Sequence, residues 1–239
     1  MPKYLLFLEN SFPYMDNYNY QKGMKEIIQE LKNLLKRKDI GTDSDWALLM
    51  DFQATLEIKP EKAIKLEKDA LALITEITAD NAHLASNLHS NLGGLYRMNG
   101  YPDLAREHME KGLFLLEQYH LLYTHDSIPQ ITNYAMLLIE QHSPEKGISV
   151  LQKVSKIIKE YNSDCNLDYA TVQETLGTIY LMNADFSQAQ THFKRAFKVY
   201  EKIWADEPEM IEKKYREIQE LYPQVGFFLG QQLSNALTE

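Results

Sequence analysis

A chain of 239 residues, 44% apolar and 11% aromatic, holds enough material for one sizeable core or a row of small ones, which excludes disorder throughout. Its 10 glycines and 8 prolines are too few for a turn-rich β sandwich and favour long regular segments. The 25 basic and 34 acidic residues leave a net charge of −9, which repels a phosphate backbone and argues against nucleic acid as a partner.

Near the start, the longest apolar block runs from Tyr4 to Leu8, far short of a signal-peptide core or a membrane span, so a soluble cytoplasmic protein with no membrane contact is expected. Cys165 is the lone cysteine and has no Cys/His cluster around it, which fits a reducing compartment and no structural zinc. Phe12, Pro13 and Tyr14 break helical spacing and set residues 1–14 apart as an N-terminal arm. Residues 15–43 hold an N-terminal helix with Ile27, Ile28, Leu31, Leu34 and Leu35 on one side. Its lysines lie largely off that stripe and alternate with Glu26 and Glu30, as on a solvated face.

From residue 44 the chain repeats itself. Pro60, Pro102 and Pro144 are spaced by 42 residues, and so are Ala63, Ala105, Gly147 and Ala189. The same offset joins Met50, Leu92, Tyr134 and Leu176, then Ala54, Tyr96, Leu138 and Tyr180, then Ala70, Gly112, Val154 and Ala196. Each proline sits where a helix begins, since its missing N–H has no intrahelical partner there. The small residues seven apart form a flank on which another helix can approach closely. The spacing predicts helices at 44–57 and 60–77, 82–99 and 102–119, 127–141 and 144–161, and 167–183 and 186–204. Connections this short force antiparallel hairpins, which must stack to bury their apolar sides. The expected fold is all-α, an α-solenoid of four 42-residue repeats over 44–204. Pro208 and Pro223 bracket a terminal pair, 209–221 and 224–237, within a capping segment 205–239, and Ile211, Tyr215, Ile218, Phe228, Leu229 and Leu233 can cover the last apolar face. Phe227 and Phe228 alternatively form a homodimer or partner patch through these C-terminal helices.

The fourth repeat reads Leu176, Gly177, Tyr180, Ala189, Phe193 and Ala196, and the second reads Leu92, Gly93, Tyr96, Ala105, Met109 and Gly112. In these residues the chain resembles tetratricopeptide repeats. The period is longer than the usual about 34 residues and resembles the subtype found in kinesin light chains. The resemblance implies a right-handed superhelix whose first helices line a concave, ligand-binding side.

No chemistry-bearing motif stands beside the repeat. The seven histidines include no H-E-x-x-H and no tight His/Cys/Asp pair on one helical face, so no metal site is expected. His83 and His125 lie 42 apart and follow from the repeat. Gly93 and Gly94 sit inside a helix rather than in a phosphate loop, and no nucleophile elbow or carboxylate pair appears. No catalytic residue and no cofactor is assigned, and the chain reads as a non-enzyme.

With the repeat columns packed on the second helices, the remaining face of the first helices carries Asn87, Ser90, Asn91, Gly94 and Arg97, then Thr132, Asn133, Met136, Ile139 and Glu140, then Thr171, Glu174, Thr175 and Thr178. Asn91 and Asn133 share one repeat column, and a side-chain amide can both donate to and accept from an extended peptide backbone. In kinesin-light-chain-like repeats comparable asparagines do this, by resemblance. Members that grip a terminal carboxylate use several basic residues, whereas here Arg97 is opposed by Glu140 and Glu174. The expected ligand is a neutral or partly basic protein or peptide segment, with Met98, Met136 and Met182 offering adaptable apolar contacts. A non-catalytic peptide-binding scaffold is the first reading. The alternative is the peptide-sensing part of a cytoplasmic bacterial regulator whose output domain is absent or separate.

Overall fold

The structure is a computed structural model that describes residues 18–38, 41–162 and 166–221. The expected arm 1–14, Cys165 and the helix expected over 224–237, with Phe227 and Phe228, lie outside the described residues. The elements run α1 (Tyr18–Lys38), α2 (Asp43–Thr55), α3 (Pro60–Leu73), α4 (Ala82–Met98), α5 (Pro102–Gln118), a short 3-10 turn (His125–Ser127), α6 (Ile128–Glu140), α7 (Pro144–Asn162), α8 (Leu167–Met182), α9 (Phe186–Ile203) and α10 (Pro208–Leu221). The described residues contain no strand, and the fold is an all-α solenoid of helix hairpins. Two compact units divide the chain, Met1–Leu122 and Tyr123–Glu239.

The second, third and fourth hairpins close by the same hydrogen-bond device. At the end of α4, Gly100 N–H donates to Arg97 O and Tyr101 N–H to Tyr96 O, at 3.2 and 2.9 Å. At the end of α6, His142 donates to Ile139 O and Ser143 to Leu138 O, at 2.9 and 2.8 Å; at the end of α8, Ala184 donates to Leu181 O and Asp185 to Tyr180 O, at 3.0 and 2.8 Å. These are Schellman caps, which need one left-handed residue past the helix. Gly100, His142 and Ala184 take it, with φ of 78°, 59° and 57°. Only the first is a residue that adopts this conformation without steric cost. Ala184→Gly is therefore expected to raise the stability of the second unit by about 0.5–1 kcal/mol, read as a rise in Tm, whereas a fall would show that the Ala184 methyl carries packing the turn needs.

Beyond each turn a proline or an aspartate starts the second helix. Pro60, Pro102 and Pro144 open α3, α5 and α7. Asp185 opens α9 by accepting from Gln188 N at 3.1 Å. α3 stops at Leu73, four residues short of the expected 77, where Ile74 turns to ψ 80°. The segment that follows, with Thr75, Ile77 and Thr78, is rich in β-branched residues that weaken a helix end.

Inside the hairpins the recurring small residues are buried, as the packing argument requires. Ala63, Ala105 and Ala189 are at most 1% exposed, and Ala70 and Ala196 are fully buried. A side chain built on Gly177 would place its Cβ 3.0 Å from the Phe193 ring, so the second helix lies against bare backbone there. In the first unit Met24, Ile28, Leu31 and Leu35 of α1 pack on Leu48, Leu49, Phe52 and Leu56 of the first hairpin. This covers the apolar side where the repeats begin. In the second unit α10 packs on α9, with Phe197 and Tyr215 rings stacked at 4.0 Å and Ile218 buried. None of the described helices is long and apolar enough to cross a membrane.

Candidate functional site

The second helices absorb the apolar columns, and within each unit first helices run side by side: α2 touches α4, and α6 touches α8. Each unit therefore presents a wall of first-helix side chains. In the first unit this wall carries Asn91, exposed, with Asn87, Gly94 and Arg97 half-buried beside it. In the second it carries the exposed Asn133, Glu140 and Thr171 and the half-buried Met136, Thr175 and Thr178. Met98 and Met182 stand exposed at the last turns of α4 and α8.

The column two residues before the repeat leucine behaves differently. Ser90 and Thr132 are buried, and the Thr132 hydroxyl donates to backbone carbonyls of its own helix, Pro129 O at 2.9 Å and Ile128 O at 3.1 Å. Glu174 accepts from Tyr200 Oη at 2.6 Å and pairs with Lys214 Nζ at 3.1 Å. Burial and the Glu174 carboxylate push the Tyr200 phenol well above its ordinary range. Ser90, Thr132 and Ile139 are thus withdrawn from the wall by burial, and Glu174 is engaged by Tyr200 and Lys214. Thr175 donates its hydroxyl to Thr171 O at 2.8 Å, and Asn87 meets His83 Nδ1 at 3.4 Å.

Asn91 is bound as well as exposed. Its amide donates to Asp51 Oδ1 at 2.7 Å, and Asp51 on α2 faces Glu67 on α3. Asp51 and Glu67 are 7% and 1% exposed, so this is a buried carboxyl pair. It stands where the other repeats place a small residue against a large apolar one: Gly93 with Met109, Ala135 with Leu151, Gly177 with Phe193. Desolvation, and for Glu67 also the neighbouring Asp51 charge, raises both carboxyls, Glu67 to about 10. The pair was not visible as a motif, because the two residues are separated in the chain and only the repeat register brings them to one level.

A second polar couple lies between α4 and α5. His89 Nδ1 and His108 Nδ1 are 3.0 Å apart, and burial lowers both imidazoles, His89 to about 4. Among the described residues no group of three or more His, Cys, Asp and Glu could hold a metal ion. His125 meets Asp168 Oδ1 at 2.7 Å on the surface of the second unit.

Residues 127–202 match the tetratricopeptide repeat family model. Similar solved structures are BtubC (BKLC) from P. vanneervenii, 20% identical with TM-score 0.68 over 87% of this chain and 84% of that one, and the nearly identical TPR-like repeats of a Podosopora anserina protein assigned as a kinesin light chain. The latter is seen in a single-substitution form, 15% identical with TM-score 0.61 over 86% of this chain and 99% of that one. A further structure of it gives 15% identity and TM-score 0.59 over 85% and 99%. No curated protein matches the chain. Residues 127–202 thus carry the tetratricopeptide repeat, and the long-period hairpins of the chain have the fold seen in kinesin-light-chain-like repeats.

Proposed function

We propose that the protein is a non-catalytic scaffold that holds a protein or peptide segment along the wall of its first helices. Tetratricopeptide repeats as a class are a protein-interaction framework, which supports the coarse reading. The observation that carries the finer one is the makeup of the second unit's wall. Asn133, Glu140 and Thr171 are exposed, Met136 is half-buried among them, and the apolar columns of the same helices are consumed by the stack. A wall of amide, hydroxyl and carboxylate groups with a flexible thioether suits an extended segment of neutral or partly basic character, held by its backbone.

Asn133 is the residue to remove. Asn91→Ala would leave the buried Asp51 without its amide donor and cost stability, so loss of binding there would be ambiguous. Asn133→Ala touches no such pair. Peptides selected from a displayed library on the wild-type chain are expected to bind the Asn133→Ala chain about three- to tenfold more weakly, as for one or two lost hydrogen bonds, with Tm unchanged. Unchanged affinity across several selected peptides would overturn the reading.

A further inference from the structure

Across the second hairpin His89 of α4 and His108 of α5 present two ring nitrogens to each other. The Nδ1 atoms are 3.0 Å apart, the ring centroids 5.1 Å apart and the planes tilted by 42°. The Tyr96 ring lies over His108 at 5.4 Å, with the Lys68 ammonium on the same tyrosine at 5.5 Å. Repeat register explains why polar groups meet here, and also what sets this hairpin apart. In the fourth hairpin the equivalent residues are Gln173 and His192, bonded at 2.8 Å, with His192 stacked at 5.3 Å on Tyr180, the counterpart of Tyr96. The first and third hairpins hold apolar couples instead, Ala47 with Leu66 and Ile131 with Val150. A helix–helix polar latch needs no more than the Gln–His form; the second hairpin carries two imidazoles.

Two imidazole nitrogens on one ion, each about 2.05 Å away as for nitrogen on zinc, lie about 2.9 Å apart at a right angle and about 3.3 Å apart at a tetrahedral angle. The observed 3.0 Å lies nearer the right-angle value. We propose that His89 and His108 form a two-nitrogen chelating site for a divalent ion of tetragonal preference, copper(II) or nickel(II). Water fills the remaining positions. Each neutral ring keeps one N–H when the ion binds: the hydrogen shared between the two Nδ1 atoms moves to an Nε2, and both Nδ1 lone pairs turn to the metal. His89, though not His108, lines a cavity of about 410 Å³ together with Ile77, Glu107, Glu110, Lys111, Phe114 and Leu115, so an ion reaches the pair from the His89 side. Glu107 and Glu110 make its rim attractive to cations, while Lys111, paired with Glu107 at 2.7 Å, opposes them in part.

The test is titration of the full chain with copper(II), nickel(II) and zinc(II) chlorides, read by calorimetry and by the copper electron paramagnetic resonance spectrum. Expected are one copper per chain, affinity falling from copper to nickel to zinc, and a tetragonal spectrum with coupling to two nitrogens. His89→Gln rebuilds the Gln–His couple that the fourth hairpin already folds around, so it keeps the metal-free Tm and loses copper affinity by about tenfold or more. His108→Gln serves as the second variant, with the same loss expected. Copper bound with wild-type affinity and spectrum in both variants would place the ion on other histidines and overturn the proposal. Tighter binding of zinc than of copper would overturn the geometry.

Discussion

Glu67→Gln is expected to flatten the pH dependence of the first unit's stability and to raise that stability at pH 8 by on the order of 5 kcal/mol. Buried against Asp51, Glu67 holds its proton up to about pH 10, whereas an unfolded chain releases it near 4.5. Between those values the folded state binds more protons than the unfolded one, so stability falls as pH rises, by about 1.4 kcal/mol per pH unit. A glutamine side chain in that place has no proton to take up and offers an amide donor to Asp51. The lowered histidines of this unit bend the profile the other way. Burial lowers His89, to about 4, and also His108, so the unfolded chain takes up their protons first and stability is lost as pH falls from 6.5 towards 4. The first unit should then be most stable in mildly acidic solution. Trp46 in α2 reports on this unit by fluorescence in a Trp204→Phe background, and urea melts from pH 5 to 9 give the slope. A fall in stability above pH 6 that survives Glu67→Gln undiminished would show that Glu67 is not its source.

Phe193→Ala in the second unit is expected to cost about 3–5 kcal/mol. Phe193 is fully buried, and its ring lies on the bare backbone of Gly177. That contact makes the two positions interdependent. Gly177→Ala alone forces its new methyl carbon to within 3.0 Å of the ring and should cost about 1–3 kcal/mol. Added to Phe193→Ala, the same methyl enters the space the ring has left and should cost little or restore stability. The double-mutant cycle should therefore show a favourable coupling of about 1 kcal/mol or more. Additive losses would mean that the glycine column is not what lets the second helix approach.

The hairpin architecture was legible because each of its demands falls on a narrow set of residue types. Pro60, Pro102 and Pro144 mark helix starts, and the small residues at 63, 105, 147 and 189 mark close approach, so both columns survive as recognisable letters. The left-handed column at 100, 142 and 184 was hidden, since glycine, histidine and alanine share no chemistry although their backbones agree. The carboxyl pair was hidden for a related reason. Asp51 and Glu67 occupy columns that elsewhere read small and large apolar, so neither letter announces that one packing couple has been replaced by another. His89 and His108 form no pattern on a single helical face, because their partnership runs across the hairpin. On the wall itself, Asn91, Asn133 and Thr171 are exposed as the helical spacing requires. Ser90, Thr132 and Glu174 are not available in the same way, because their column is buried or bonded within the stack, which a single helix cannot reveal.

That the first helices grip another chain is tested most directly by placing a photo-crosslinking phenylalanine derivative on their wall, at Met136 or Thr171, and for comparison at Lys156 on the exposed face of α7, then irradiating with a library-selected peptide. Adducts from 136 and 171 and none from 156 are the result expected of a binding wall. Adducts from 156 with none from the wall would contradict it.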